Sequence, residues 1–371
     1  MRKWVIGILA AALGVAPAIA WAAPDPVEDG PPPAGTYIVH AIDVGTGLAV
    51  FVEGHDFTLL YDAGSNDDTA RGAANRVVAY IHAVRRDLRS IDHVVLSHPH
   101  QDHSELMPDV LTQFQVRNLW NSGALNPICS YRQLLVNAAA THVAYHDALG
   151  GPGTYDGAFK TQKCYGKTLP AATISVPRSS QMSAMAVPLG AGAQMTILQR
   201  DGSHKSSFNE NSVVVRLELG TRSLLLPGDA EAGGRKAPST IPSTSSSEGK
   251  LLACCAAQLR SDILVAPHHG SMTSSRSKYI AAVHASEYLV SAGPTKYSTV
   301  VLPDQDVIDE YTGLVTAQHV WRTDVTDATT CPTNPAKIGP DNDGRAGGCD
   351  NVRIVIGPTG TITAGYYHPA D

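Results

Sequence analysis

The chain has 371 residues, 43% of them apolar and 17% charged, with 28 Lys and Arg against 34 Asp and Glu. This composition excludes a disordered or low-complexity chain, and six cysteines are too few for a small disulfide scaffold. The mild acidity disfavours an electrostatic nucleic-acid binder, because neutralising phosphates takes clustered Lys and Arg.

Residues 1–22 have the pattern of a secretory signal. Arg2 and Lys3 precede an apolar stretch from Trp4 to Val15, and small residues around Ala20 and Ala22 offer a cleavage site. The stretch is shorter than the roughly 20 residues a membrane span needs, and no later segment is apolar enough to cross a membrane. Cleavage would remove Arg2 and Lys3 and move the balance from −6 to −8. Residues 23–36, rich in Pro, Gly and acid, form a flexible leader. The expected product is secreted or periplasmic, with residues 37–371 as one domain.

Strand patterns run from Tyr37 to Val44, from Leu48 to Val52 and from Thr58 to Asp62, with glycines between them as in hairpins. Asp67 to Leu88 has helical spacing. A buried strand from His93 to Ser97 leads into a polar loop, His98 to His103, and a helix from Glu105 to Gln113. Leu119 and Trp120 suit a short strand, Ser130 to Leu149 a helix, and Gly150 to Lys167 an irregular stretch. Further strands are expected at Thr173–Val176, Met195–Leu198, Ser212–Leu219 and Ser223–Leu226. Ala237 to Lys250 is Pro/Ser/Thr-rich and predicts an exposed loop. Then come a helix at Leu251–Leu259, a strand at Ile263–Ala266, a helix at Ser277–His284, a strand at Tyr288–Ser291 and a C-terminal hairpin from Val352 to Ala364. Strands lead in both halves and helices follow, which predicts an α/β fold of two sheets packed together with helices outside.

In an oxidising compartment the cysteines are expected to pair. Cys331 and Cys349 bracket one loop, and Cys129 and Cys164 bracket another irregular stretch. Cys254 and Cys255 are adjacent on a helix and are expected to point different ways.

The strongest chemical signal is His98-Pro99-His100-Gln101-Asp102-His103, an H-x-H-x-D-H run directly after a buried strand. Alternate positions in an extended loop point the same way, so His98 and His100 can share one metal. Asp102 and His103 can then face a second, and imidazole with carboxylate suits zinc, iron or manganese. Asp43 and Asp62 are candidates to orient a ligating imidazole through its other ring nitrogen. Asn209, Asn211 and Ser212 are candidates to satisfy loop backbone near the site.

This run resembles the signature of the metallo-β-lactamase fold superfamily. The wider pattern resembles the soluble hydrolase domain of ComEC-type competence proteins. The resemblance is carried by Ile42-Asp43-Val44-Gly45-Thr46-Gly47-Leu48-Ala49, by Leu59-Leu60-Tyr61-Asp62-Ala63-Gly64, by Asn209-Glu210-Asn211-Ser212-Val213-Val214-Val215, by Leu226-Pro227-Gly228-Asp229 and by Pro267-His268-His269-Gly270-Ser271. It implies a four-layer αβ/βα sandwich and two divalent ions, zinc first with manganese or iron as alternatives. It implies His98 and His100 on the first ion, Asp102, His103 and His268 on the second, with His269 as the alternative in the place of His268, and Asp229 bridging both. Asp102 would manage the proton, and His269 would stand nearby as proton donor or substrate contact.

The resemblance implies a hydrolase that cleaves phosphodiesters with a metal-bound hydroxide, acting on a small-molecule or phosphodiester substrate rather than gripping duplex nucleic acid. The same scaffold also suits an acyl hydrolase for a β-lactam, lactone or thioester, or a non-catalytic metal-binding protein. Two departures stand out. The superfamily supplies a third imidazole to the first metal, and only His142, His146 and His204 lie in that interval, His204 being the nearest candidate. The family's Asn-x-Tyr-x-His-Pro stretch is represented by Gly293-Pro294-Thr295-Lys296-Tyr297-Ser298, without its histidine.

Overall fold

The computed structural model describes residues 30–68, 70–151, 153–182, 186–203, 207–325, 350–367 and 369. The signal segment, the leader up to residue 29, His204, Cys331 and Cys349 lie outside these residues.

The first half supplies β1 (Tyr37–Ala41), β2 (Val50–Glu53), β3 (Thr58–Tyr61), β4 (Ser90–Leu96), β5 (Gln115–Asn121), β6 (Ala144–Asp147), β7 (Gly153–Phe159), a small hairpin of β8 (Gln162–Cys164) with β9 (Lys167–Leu169), and β10 (Ala172–Gln181). The second half supplies β11 (Ala186–Gly190), β12 (Ala193–Gln199), β13 (Val214–Leu219), β14 (Arg222–Leu226), β15 (Ile263–Val265), β16 (Glu287–Val290) and β17 (Val320–Arg322). The closing hairpin is β18 (Val352–Ile356) and β19 (Ile362–Tyr366). The helices are α1 (Arg76–Val84), α2 (Gln101–Ser104), α3 (Met107–Gln113), α4 (Cys129–Thr141), α5 (Ser247–Leu259), α6 (Ser277–Val283) and α7 (Gln305–Leu314).

One sheet of ten strands runs β19-β18-β1-β2-β3-β4-β5-β6-β10-β7, and a second of seven runs β11 through β17 in chain order. The C-terminal hairpin crosses back to join the first sheet, β18 pairing antiparallel with β1.

Side chains alternate across a strand, and the alternation sorts the core into three slabs. Leu224 and Leu226 of β14, Ile263 and Val265 of β15 and Leu289 of β16 meet Val50, Val52, Leu59 and Tyr61 of the first sheet. Their neighbours Leu225, Leu264, Tyr288 and Val290 face the other way, against Leu251 of α5, Ile280 of α6 and Val307 of α7. Phe51 and Leu60 similarly face Val77 and Ile81 of α1, Val110 of α3 and Leu134 of α4. Three slabs between helix, sheet, sheet and helix layers make the four-layer αβ/βα sandwich.

Several elements differ from their sequence expectation. The helix expected from 130 to 149 ends at Thr141, and His142 terminates it in a left-handed conformation (φ 53°). Residues 144–147 instead form β6, inserted between β5 and β10. A parallel slot between β5 and β10 outweighs the weak helical propensity of Val143 to His146. The stretch from 150 to 167, expected to be irregular, contains β7 and β8. The exposed loop ends early, because the Ser246 side chain accepts from Gly249 N–H and starts α5 at Ser247. Cys254 and Cys255 are joined to each other rather than pointing apart, and Cys255 leaves helical geometry there (φ −142°, ψ 23°). Cys129 and Cys164 form a second disulfide, which ties α4 to β8. Among the described residues no helix is long and apolar enough to cross a membrane.

Candidate metal centre

β3, β4 and β5 run parallel, as do β14, β15 and β16. In open α/β sheets, ligands collect outside the carboxyl ends of such strands, and here the two sheets bring those ends together. Asp62 follows β3, His98 follows β4 through Ser97, Asp229 follows β14, His268 and His269 follow β15, and Ser291 follows β16. Cross-sheet hydrogen bonds fix the junction: Tyr61 Oη donates to Val213 O at 2.8 Å, and Val213 N–H donates to Ser97 O at 2.8 Å.

The H-x-H-x-D-H run does not stay extended. It turns into α2 after His100, which puts Asp102 and His103 on the first turn of a helix. That turn lies against the glycine loop: Ala63 N–H donates to His103 O and Leu48 N–H to Asp102 O. A Cβ on Gly64 would stand 2.1 Å from His103 N, so only glycine admits this approach.

The ligand atoms form two groups, His98 with His100 and Asp229, and Asp102 with His103 and His269. In the first, His98 Nε2 lies 2.9 Å from His100 Nδ1 and 3.6 Å from Asp229 Oδ2. In the second, His103 Nε2 lies 3.1 Å from Asp229 Oδ1 and 3.2 Å from His269 Nε2, with His269 Nε2 3.6 Å from Asp102 Oδ2. Bonds of 2.0–2.1 Å at a tetrahedral zinc place neighbouring ligand atoms about 3.3 Å apart, close to these separations. Asp229 is 2% exposed, and its Oδ1 receives no hydrogen bond among the described residues. A buried carboxylate oxygen facing two imidazole nitrogens is in the position a cation would complete. The donor set and this orphaned oxygen therefore fit a pair of divalent ions.

The electrostatics agree. Burial opposes the charge on Asp229, but the surrounding imidazoles, His103 foremost, hold its pKa well below the usual carboxylate range. Burial also works against Asp102, yet His269 and His103 bring it down. Burial pushes His98 and His268 down, so both are neutral and able to ligate. Burial alone would lower His103 too, but Asp229 and Asp62 carry it well above the ordinary histidine value. A cation arriving there displaces that proton.

Ring orientation follows from the outer contacts. His103 Nδ1 donates to Asp62 Oδ2 at 2.8 Å, and Asp62 also accepts from Ser97 N–H and Ser97 Oγ–H, both at 2.7 Å. His269 Nδ1 lies 2.8 Å from the Ser291 carbonyl, which can only accept, so Nδ1 carries a proton and Nε2 faces the centre. Ser212 Oγ accepts from Asp229 N–H at 3.1 Å. Asn211 Nδ2 donates to Asp201 O at 2.6 Å and so braces the loop behind. Asp43 accepts from Gly45 N–H at 3.0 Å and Asp350 N–H at 3.2 Å, fastening the first glycine turn to the C-terminal hairpin.

Of the His268–His269 doublet, the structure groups the alternative residue with the second set. His269, not His268, joins Asp102 and His103, and its Nδ1 proton is spent on Ser291. Two consecutive non-glycine residues with positive φ, 51° and 54°, produce the split. Each such conformation costs about 1–3 kcal/mol and persists where the surroundings impose it. His142 and His146 stand apart from the centre: His142 ends α4, and His146 contacts Ser180 and Asn118.

Tyr297 was missed as a site member, and Asn209 was expected only to satisfy loop backbone. Tyr297 Oη donates to Asp102 Oδ2, and its ring stacks on His269 at 6.1 Å. Burial, then Asp102, raise its pKa, so it stays a phenol. Its place in the altered Asn-x-Tyr stretch was the available signal. Asn209 donates to Glu231 Oε1 at 2.9 Å, and its own Oδ1 is buried without a hydrogen bond among the described residues. Both line a hollow of about 330 Å³ over the centre, together with Asn66 and Gln101.

Residues 42–128 match the family model described as Metallo-beta-lactamase superfamily. The uncharacterized protein YcaI of Escherichia coli K12 is 35% identical over 103 residues, which cover 28% of this chain and 12% of YcaI, so the match spans about an eighth of that relative. Among solved structures, the metallo-beta-lactamase fold protein YhfI of Bacillus subtilis is 12% identical with a TM-score of 0.39, over 77% of this chain and 95% of YhfI. CmlA, a diiron beta-hydroxylase of Streptomyces venezuelae, is 15% identical with a TM-score of 0.38, over 76% of this chain and 51% of CmlA.

Proposed function

From the metallo-beta-lactamase superfamily domain that this chain carries at residues 42–128, we propose an exported metal-dependent hydrolase whose dinuclear centre cleaves phosphodiesters. The observation that carries this is Asp229, whose two oxygens face separate donor groups, Oδ2 towards His98 and Oδ1 towards His103. Two divalent ions, zinc first with manganese or iron as alternatives, would supply Lewis acidity at neighbouring points and acidify a shared water towards neutral pH.

The chain's own residues then do three things. His98, His100, Asp102, His103, Asp229 and His269 hold the ions, while Asp62 and the Ser291 carbonyl fix two of the imidazoles. Asp102 sits at the hollow within reach of a proton, and Tyr297 fixes it by donating to Oδ2. Asn66, Gln101, Asn209 and Tyr297 give the hollow a polar lining, with Tyr297 donating to Asp102 and Asn209 to Glu231. Such a lining suits an oxygen-rich anionic group, and among the described residues no Lys or Arg lines the hollow. Export is supported by the Cys129–Cys164 disulfide, which suits an oxidising compartment.

The test is hydrolysis of bis-p-nitrophenyl phosphate by zinc- or manganese-loaded protein. Wild type should turn it over, and Asp102→Ala and Asp229→Asn should each lose at least about a hundredfold, the scale of a lost acid–base or metal-binding group. Turnover of nitrocefin or a lactone with no diester cleavage would replace this proposal with acyl hydrolysis. Less than one ion per chain and no turnover on either would leave a binding protein.

A further inference from the structure

We propose that the first metal position is closed by His268, so that one Pro-His-His-Gly turn serves both ions, His268 the first and His269 the second. This rests on the dinuclear reading above and concerns the place where the chain departs from its superfamily, the third imidazole of the first site.

Three observations converge. His268 Nε2 lies 3.7 Å from Asp229 Oδ2, the same oxygen that His98 Nε2 approaches at 3.6 Å. His269 Nε2 lies 3.7 Å from the other oxygen, Oδ1. The adjacent rings therefore straddle the bridging carboxylate, one on each side. The other nitrogen of His268 is held as a ligating imidazole's is, with Nδ1 2.6 Å from Thr273 Oγ1 and 3.5 Å from Glu231 Oε1. Finally, the backbone is built for this. The left-handed conformations at both His268 and His269 are continued by Gly270 (φ 74°), and an ordinary extended exit from β15 would not place successive rings about one carboxylate.

Asn209 completes the arrangement. Its Nδ2 lies 3.4 Å from His268 Nε2 and 2.9 Å from Glu231 Oε1. The Glu231 contact keeps Asn209 beside the ring, so His268 Nε2 can turn its lone pair to an ion without stranding the amide. Of the histidines in the interval where the superfamily places its third imidazole, His142 and His146 are held away from the centre, and His204 lies outside the described residues.

The test is zinc stoichiometry and affinity, measured by elemental analysis and calorimetry on the full mature chain. Wild type should hold two ions. His268→Ala should hold one, and so should His100→Ala and His269→Ala. Combining His268→Ala with His100→Ala should remove no more than either alone, whereas combining it with His269→Ala should leave none. Thr273→Val, which keeps the ring but frees its Nδ1, should weaken one ion about 10–100-fold, and it decides the matter if His268→Ala does not fold. The proposal is overturned if wild type holds fewer than two ions, if His268→Ala keeps both at unchanged affinity, or if Thr273→Val changes neither. A chain that binds two ions in this pattern yet cleaves no diester leaves the assignment standing and removes the phosphodiesterase. A diesterase whose His268→Ala variant still holds two ions does the reverse.

Discussion

Asp62 sits at the end of β3 in a left-handed conformation (φ 57°), and its carboxylate takes three donors from Ser97 and His103. Asp62→Asn keeps the shape but turns one acceptor into a donor facing the His103 Nδ1 proton. We expect it to weaken zinc binding at the second position by about 10–100-fold, read by chelator competition, with the fold intact by circular dichroism. His146 gives a stability prediction away from the centre. It is stacked on Trp120 at 4.1 Å, and its pKa is pushed down to about 4, chiefly by burial with His93 reinforcing. The unfolded chain titrates near 6.5, so between these values it takes up a proton that the folded protein refuses. Stability is therefore lost as pH falls from about 6.5 to 4, by at most about 3 kcal/mol. Urea midpoints for His146→Gln should show a smaller fall over that window than wild type. At this scale the clustering of imidazoles and carboxylate was legible, because H-x-H-x-D-H is local in sequence. The allotment of His268 and His269 was not, because it depends on two φ angles.

At the scale of elements, loop and strand ends matter more than helices. The Cys129–Cys164 bond spans 35 residues and pins α4 to the β8–β9 hairpin. On chain entropy, a loop of that length contributes about 3–4 kcal/mol by restricting the unfolded state. Cys129→Ser with Cys164→Ser should lower the unfolding free energy by roughly that amount, and adding reductant should add nothing further in that variant from this bond. The strands that build the centre were legible because buried parallel strands are continuous apolar runs bounded by turn residues, as at Ile263–Val265 before Pro267. The helix expected to run through His146 was misread for the converse reason. Residues 144–147 have no decisive period, and their state is set by β5 and β10 on either side. The vicinal Cys254–Cys255 bond also escaped the sequence, since a regular helix would have turned those side chains apart.

For the whole molecule, the formal charge of −6 sets the terms of nucleic-acid binding, and among the described residues no Lys or Arg lines the hollow. Nonspecific duplex binding needs a field of cations along the backbone. Gel-shift titration with duplex DNA should show no binding tighter than about 10⁻⁴ M at physiological salt, while a small diester is still cleaved. A shift at micromolar protein would overturn that expectation. The sequence by itself determined the strand-rich α/β architecture and the cluster of imidazoles and carboxylate after β4, since both are written in short-range pattern. Only the tertiary structure decided that Asp229, 131 residues from His98 in the chain, stands 3.6 Å from it. The physical reason is that the centre lies where the carboxyl ends of two separate sheets meet. Its ligand separations are fixed by the packing of one sheet on the other, which no local pattern encodes.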